Sequence, residues 1–209
     1  TKVLINHGLT PQEIFFYRFL IAYLGIWVIS PKRLFTNNWQ DELWLVAGGI
    51  FGGSLYFFTE NTALGITQAS NVSFIICTAP LLTTILSLLF YKSEKASKGL
   101  IYGSLLALMG VGLIVFNGSF VLKISPIGDL LTLLAALSWA FYSLIIKKMA
   151  GRYPTIFITR KIFFYGVLTI LPAFLLHPLH PDTVVLLQPA VLFNLSLIHI
   201  SEPTRLDVI

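Results

Sequence analysis

The sequence predicts an all-α fold, a polytopic bundle of transmembrane helices. Its residues are 56% hydrophobic and only 11% charged, with a mean hydropathy of +0.83. That is too little charge to cover the surface of a soluble domain of this size. The apolar residues form continuous runs of about the 20 residues that cross a bilayer core as a helix, rather than the alternating runs of barrel strands. We therefore expect a multi-pass protein of the inner, or plasma, membrane.

The apolar runs set the predicted spans. They cover residues 13–30, 43–61, 71–91, 99–116, 128–146 and 162–176, with 184–195 as an interrupted seventh span. Residues 1–11 are interpreted as the remnant of a preceding span and a turn. The second and third spans form a hairpin around the short connection 62–70, and the rest of the chain is arranged around this hairpin.

Basic residues in the connections predict the orientation. Alternate connections are basic, and they carry Lys32 and Arg33, then Lys92, Lys95 and Lys98, then Lys147, Lys148, Arg152, Arg160 and Lys161. The intervening connections hold Lys123 alone. Because basic loops stay in the cytoplasm, we expect the first set on the cytoplasmic side.

Two segments form a short internal repeat. TPQEIFFYRFLIAYLG can be aligned with YPTIFITRKIFFYGVL, and in each a cation stands seven positions after a proline: Arg18 after Pro11, and Lys161 after Pro154. The loop charges give the two copies opposite orientations. Homologous segments of opposite orientation indicate an inverted repeat, which is common in secondary transporters.

Three stretches carry a family resemblance over most of residues 8–176. They are GLTPQEIFFYRFLIAYL, ALGITQASNVSFIICTAPLLTTILSLLFYKSEKASKGLIYGSLLALMGVGLIVF and GDLLTLLAALSWAFYSLIIKKM. They resemble the EamA-type branch of the drug/metabolite transporter superfamily, whose members have ten helices in two inverted repeats of five. The resemblance implies this 5+5 fold, with residues 1–118 as a first repeat lacking its first helix and 124–195 as an incomplete second repeat.

Both ends of the chain are expected to be truncated. The sequence begins with Thr1, and its tail changes character abruptly at residue 196. The tail SLIHISEPTRLDVI resembles the translated read-through of a sequencing adapter. We therefore expect residues 196–209 to be non-native and leave them out of the functional argument.

Glu60 is the first candidate site residue, since a carboxylate inside an apolar span usually has a partner or a function. On an α-helix Gly49, Gly53 and Tyr56 share its face, so the glycines are expected to open a groove beside it. Burial would raise the pKa of such a carboxylate and make it a cation or proton site. The alternative is an interfacial acid, or a structural pair with Arg18. Glu60 is not part of the generic family pattern, so no family role carries over to it.

Two cations of the repeat are weighed in the same way. Arg18 could bind a substrate carboxylate or phosphate through its planar fork. The alternatives are a side chain that extends to the interface, or one that makes a structural pair. Lys161 is interpreted as an ordinary cytoplasmic anchor.

Two further spans supply pathway candidates. Pro80 lies near the middle of its span and is expected to break the helix there, with Thr78 beside the break. The alternative is a tolerated kink whose hydroxyls bond their own backbone. Trp139 and Tyr142 share one face of a later span with Thr132 and Ser143, where they either line a pathway or pack. Glycines at 48, 49, 52, 53, 99 and 103 are interpreted as helix-packing positions.

No cofactor or metal is expected. His177, His180 and Asp182 form the sole cluster that resembles metal ligands, and two prolines interrupt them. Cys77 is a single cysteine within a span. The scattered basic residues give no support for nucleic-acid binding.

The sequence thus predicts a non-enzymatic secondary transporter that works by alternating access. The predicted substrate-pathway residues are Arg18, Tyr56, Glu60, Thr78, Pro80, Trp139 and Tyr142. The resemblance implies export of small organic metabolites, such as amino acids, or of drugs, and Glu60 would couple it to protons if transport is coupled. The expected partners are a small-molecule substrate, the lipid bilayer and protons, with a homodimer left open. The alternatives are a lipid-modifying enzyme that uses the 177–182 loop, and a membrane scaffold without transport.

Overall fold

A computed structural model describes residues 9–29, 35–91, 98–116 and 125–176, and in these ranges the regular structure is entirely helical. The elements are α1 Pro11–Ile29, α2 Trp39–Gly49, a π-helical segment Ile50–Leu55, α3 Tyr56–Ile66, α4 Ala69–Ile76, α5 Ala79–Phe90, α6 Lys98–Phe116, α7 Pro126–Ala150, α8 Thr155–Ile170 and α9 Ala173–Leu176. The predicted all-α class is therefore confirmed, whereas the relation between two five-helix repeats stays a prediction.

The start of α1 is fixed by a reciprocal cap. The Thr10 amide and hydroxyl both donate to Glu13 Oε2 at 2.9 Å, and the Glu13 amide donates back to the Thr10 hydroxyl. This pattern satisfies amide groups that the first helical turn leaves without an intrahelical acceptor. Pro11 follows the cap at a position where a missing N–H costs nothing.

The predicted second span is longer than its apolar run. Helical backbone extends from Trp39 to Ile66 through the π-helical segment, so the predicted 62–70 connection is reduced to Thr67 and Gln68. Asn38 caps α2 by accepting from the Gln40 amide, and Asp41 and Glu42 follow in the first turn. Acidic side chains favour the positive end of a helix dipole, so charged residues that look like a loop instead begin a helix.

The π-helical segment has a specific partner. The Ser138 hydroxyl, on α7, donates to the Phe51 carbonyl at 2.7 Å. A π-helical turn shifts the backbone bonds to an i+5 pattern and leaves groups that a side chain can satisfy. Ser138 therefore stabilises the π geometry from the neighbouring helix.

The break predicted at Pro80 is confirmed. The third span divides into α4 and α5, separated by Cys77 and Thr78, and Pro80 lies in the first turn of α5. The Thr78 hydroxyl donates to the Ile75 carbonyl at 2.6 Å. Proline has no N–H to donate to a carbonyl of the preceding turn, so the backbone hydrogen-bond pattern is interrupted there. The Thr78 hydroxyl bonds a carbonyl next to this interruption.

The core lies where α7 and α8 pack against the first part of the chain. α3 packs along α7, whereas α1 and α2 pack on α8. One cluster joins α1, α3, α7 and α8 and contains Phe15, Phe19, Tyr56, Phe57, Ala135 and Phe163. A second joins α2, α7 and α8 and contains Leu45, Ile145, Met149, Phe157, Ile158 and Ile162. α6 lies at the periphery, with Leu106, Met109 and Leu113 each at least 66% exposed.

Candidate functional site

Three predicted pathway residues lie together in one aromatic row. The ring of Tyr56 lies 5.0 Å from that of Trp139, which lies 5.1 Å from the ring of Tyr142. Tyr56 comes from α3, while Trp139 and Tyr142 are one helical turn apart on α7. Tyr56 is buried and the other two are half-buried. The row therefore brings together side chains from the two predicted repeats, residues 1–118 and 124–195.

Arg18 is buried beside this row. It is 8% exposed, and its guanidinium carbon lies 5.4 Å from the centroid of the Phe57 ring. Phe57 in turn meets Tyr56 edge to face at 5.0 Å. Arg18 thus lies inside the helix bundle and does not extend along its surface, which contradicts the snorkelling alternative.

The predicted groove beside Glu60 is not formed. Gly49 is covered by Tyr165, and the backbone of Gly53 packs on that of Gly166, so α8 fills the glycine face. The expectation assumed a continuous α-helix, whereas the π-helical segment changes the rotation between Gly49 and Glu60. Glu60 itself is half-buried on α3, one turn beyond Tyr56.

The glycines instead allow close helix packing. A Cβ at Gly48 would meet Ile162, and one at Gly52 would meet the ring of Tyr142. The predicted packing role is therefore confirmed at Gly48, Gly49, Gly52 and Gly53. It is wrong at Gly103, where the space around an added Cβ is open.

Hydroxyl groups near the helix break mostly bond their own backbone. Thr78 bonds Ile75, and Thr84 donates to the Pro80 carbonyl at 2.9 Å. On α7, Thr132 and Ser143 do the same with the carbonyls four residues earlier. The tolerated-kink alternative thus accounts for the hydroxyl of Thr78, while Pro80 itself is exposed at the surface of the bundle.

A buried charged cluster lies where the sequence predicted connecting loops. The Lys161 ammonium and the Tyr165 hydroxyl both donate to Glu42 Oε1. The Thr36 amide and hydroxyl donate to Oε2 of the same carboxylate, at 2.9 and 2.6 Å. The side chains of Lys161 and Glu42 are 5% and 9% exposed. Both carboxylate oxygens are thus held by donors within a closed environment.

The interpretation of Lys161 as an ordinary cytoplasmic anchor does not account for its burial and its ion pair with Glu42. α8 begins at Thr155, so Arg160 and Lys161 belong to a helix and are 2% and 4% exposed. Because they lie in a helix, these two residues do not count among the loop charges that predict the orientation. Lys147, Lys148 and Arg152 still mark this end of α7 as basic, and we call it the basic end.

A second ion pair lies beside the first. Arg152 Nη1 donates to Asp41 Oδ1 at 2.6 Å, and the Tyr153 hydroxyl donates to Oδ2 at 2.9 Å. Burial and the hydrogen bond to Asp41 raise the pKa of Tyr153 above its usual value of 10.0. Its phenol therefore stays protonated and remains a donor at neutral pH.

A cavity of about 390 Å³ with a mostly apolar lining lies next to the charged cluster. Its lining residues are Phe35, Thr36, Asn37, Asn38, Trp39, Glu42, Leu43, Val46 and Tyr165. A second, apolar cavity of about 270 Å³ lies between the π-helical segment and α8–α9. Neither of these two cavities is lined by a predicted pathway residue.

Sequence reasoning missed Glu42 and the role of Lys161. One available signal was the acidic pair at positions 41–42 directly after an Asn cap, which marks a helix start. The other was the position of Lys161 in the repeat, which matches that of Arg18. No group of three or more potential metal ligands occurs within the described ranges. The cluster His177, His180 and Asp182 lies outside them.

These features define a class of protein. In the described part of the chain, Ala69–Phe90, Pro126–Ala150 and Thr155–Leu175 are long and apolar enough to cross a membrane. Charged side chains are buried between helices, as in a multi-pass helical membrane protein. The chain belongs to the EamA-like transporter family, whose family model matches residues 1–116. It is thus a multi-pass protein of the cell membrane, as predicted.

Curated relatives agree with this assignment. An uncharacterized transporter of Archaeoglobus fulgidus is 30% identical over 168 residues, which are 78% of this chain and 57% of the relative. The uncharacterized transporter YdfC of Bacillus subtilis is 31% identical over 151 residues, 70% of this chain and 47% of the relative. The chain therefore spans about half the length of these relatives.

A solved crystal structure supports the fold. It matches with a TM-score of 0.63 at 19% sequence identity, over 83% of this chain and 60% of the other. At this identity the likeness concerns the fold alone.

Proposed function

We propose that the protein is a secondary transporter of small organic metabolites that works by alternating access. The observation that carries the proposal is the aromatic row of Tyr56, Trp139 and Tyr142, which joins the two predicted repeats. In transporters with inverted repeats, the substrate site lies near the bilayer midplane where the repeats meet. Aromatic faces there offer broad apolar contact to small organic molecules.

The direction and the substrate class rest on the family. The resemblance favours export of amino acids, related metabolites or drugs. Arg18, buried beside the row, gives this pathway a cation that suits a substrate carboxylate or phosphate. The helix break at Pro80 supplies a place where the third span can bend as access alternates.

We further propose that Glu60 couples transport to protons. Glu60 lies half-buried on α3, one turn from Tyr56 and between Thr59 and Asn61. A carboxylate at such a position can bind a proton on one side of the membrane and release it on the other. If residues 1–118 and 124–195 are two repeats that move against each other, Glu60 would lie close to the interface between them.

The test uses protein expressed from the full-length gene and reconstituted in liposomes with an internal pH dye. A pooled panel of labelled metabolites is supplied as a gradient, and flux and internal pH are followed together. We expect substrate-dependent proton movement in wild type, its loss in Glu60→Gln and its retention in Glu60→Asp, which keeps the carboxylate. Flux without proton movement, unchanged in Glu60→Gln, would refute the coupling role alone. Absence of flux for every pool would refute transport of this substrate class.

A further inference from the structure

Two adjacent acids of α2 each bind a cation from the far part of the chain. Asp41 pairs with Arg152, which lies 111 positions later, and Glu42 pairs with Lys161, which lies 119 positions later. Both pairs lie at the basic end, between the first predicted repeat and the second. They therefore connect the two units that alternating access requires to move apart.

The two pairs differ in their exposure to solvent. The Arg152 side chain is 54% exposed, whereas Lys161 and Glu42 are almost fully enclosed. A third contact lies at the same interface, where the Lys148 ammonium lies 3.7 Å from the centre of the Trp44 ring. The Asp41–Arg152 pair thus has one exposed partner and one buried partner, whereas both partners of the Glu42–Lys161 pair are buried.

Desolvation makes the inner pair sensitive to the loss of a partner. A buried charge whose counter-ion is removed must become hydrated or neutral, so the enclosed arrangement holds only while both groups are present. Leu45, one turn further along α2, is 0% exposed and belongs to the second core cluster. Separation of the pair would therefore expose the space around Leu45 to the basic end.

We propose that Asp41–Arg152 and Glu42–Lys161 form a gate, which we call the acidic latch, that closes the basic end of the transporter. The latch is closed in this conformation and separates when the protein opens towards the cytoplasm. This proposal rests on the proposed function, since a gate implies alternating access. It assigns roles to four charged residues outside the substrate-pathway set.

The first test measures access without any substrate. In the full-length protein with Cys77→Ser, Leu45→Cys provides the single thiol within the described residues, at a position that is 0% exposed. Inside-out membrane vesicles are treated with a membrane-impermeant maleimide, and the labelling rate is followed. We expect Glu42→Gln and Arg152→Gln each to raise that rate, by about tenfold for Glu42→Gln because its loss leaves Lys161 unpaired.

The matched control is Lys98→Met, which removes an exposed lysine at the start of α6, outside the latch. Its labelling rate should equal that of the Leu45→Cys parent. Equal rates in the parent, Glu42→Gln and Arg152→Gln would overturn the latch. So would the same increase in Lys98→Met, because general loosening would then explain it.

A charge-exchange variant distinguishes loss of the ion pair from misfolding. Asp41→Arg alone should raise the labelling rate, and Asp41→Arg with Arg152→Asp should restore protection, because the exchange returns opposite charges to the two positions. Failure of the double variant to recover, with both proteins monodisperse in detergent, would contradict a role for this pair.

The last test links the latch to transport. Asp41→Cys with Arg152→Cys is joined by a short reducible bis-thiol reagent in the reconstituted protein, again with Cys77→Ser. We expect flux to fall at least tenfold on cross-linking and to return on reduction, while the reagent leaves the flux through each single cysteine variant unchanged. Flux that persists through complete cross-linking would overturn the latch. The labelling experiment needs no substrate, so failure to find flux in wild type would count against the proposed function and leave the latch judged by access alone.

Discussion

The aromatic ring of Tyr142 packs directly on the backbone of Gly52, inside the π-helical segment. No side chain larger than hydrogen fits at position 52 unless this ring moves. The contact joins the π-helical segment to the aromatic row, so the geometry of one depends on the other.

Gly52→Ala should therefore destabilise the protein by about 1–3 kcal/mol, because the added methyl group overlaps the Tyr142 ring. Thermal unfolding in detergent, followed by circular dichroism, measures the effect. Gly65→Ala is the control, since the space around an added Cβ there is open and alanine favours helix. Equal melting temperatures for the two variants would contradict the tight contact.

Ser138→Ala should cost about 0.6–1.7 kcal/mol, which are the average and the maximum measured for side-chain hydrogen bonds between helices in a membrane. The change removes the donor to the Phe51 carbonyl and leaves that group without its partner from α7. Ser143→Ala is a matched control on the same helix, because the Ser143 hydroxyl bonds its own backbone at Trp139. A loss of stability in the control as large as that in Ser138→Ala would argue against a special role for the π-helical segment.

The buried pair of Glu42 and Lys161 should behave non-additively. Lys161→Met or Glu42→Leu alone should cost about 3–5 kcal/mol, since each leaves an uncompensated buried charge, whereas the double variant should cost less than either. A double-mutant cycle of melting temperatures gives the coupling. Additive losses would mean that the two groups do not depend on each other.

Pro80→Ala should slow transport without loss of stability. Alanine restores the missing amide donor and allows α4 and α5 to join as one helix, which removes a bending point. Flux in liposomes and thermal unfolding are measured on the same preparations. Pro126→Ala is the control because Pro126 lies in the first turn of α7, where it breaks no backbone bond. Unchanged flux in Pro80→Ala would reduce Pro80 to a tolerated kink.

The apolar runs predicted the helices well because hydropathy alone decides which segments can lie in lipid. They predicted the helix ends poorly, because there a charged residue can belong to the helix when a tertiary contact pairs it. Arg160 and Lys161 look like loop residues, and only the pairing of Lys161 with Glu42, 119 positions away, explains why that lysine can be buried in α8. A local pattern contains no information about a partner at that distance.

Residue types selected Tyr56, Trp139 and Tyr142, and the fold brings their rings together. That these rings line a substrate pathway stays a prediction. The groove expected beside Glu60 assumed an α-helical period through the segment IFGGSL, and nothing in those residues distinguishes π from α geometry. The π geometry is bonded by Ser138 of another helix, and the spacing of residues within the segment gives no information about that contact.

The π-helical segment also sets an angle between two carboxylates. Glu42 precedes it and Glu60 follows it on one continuous helical span. A π turn holds about one residue more than an α turn, so conversion of Ile50–Leu55 to α geometry would turn Glu60 about the span's axis by roughly 100° relative to Glu42. Such a conversion would present Glu60 to a different neighbour while Glu42 keeps its place, through rotation of the span about its own axis.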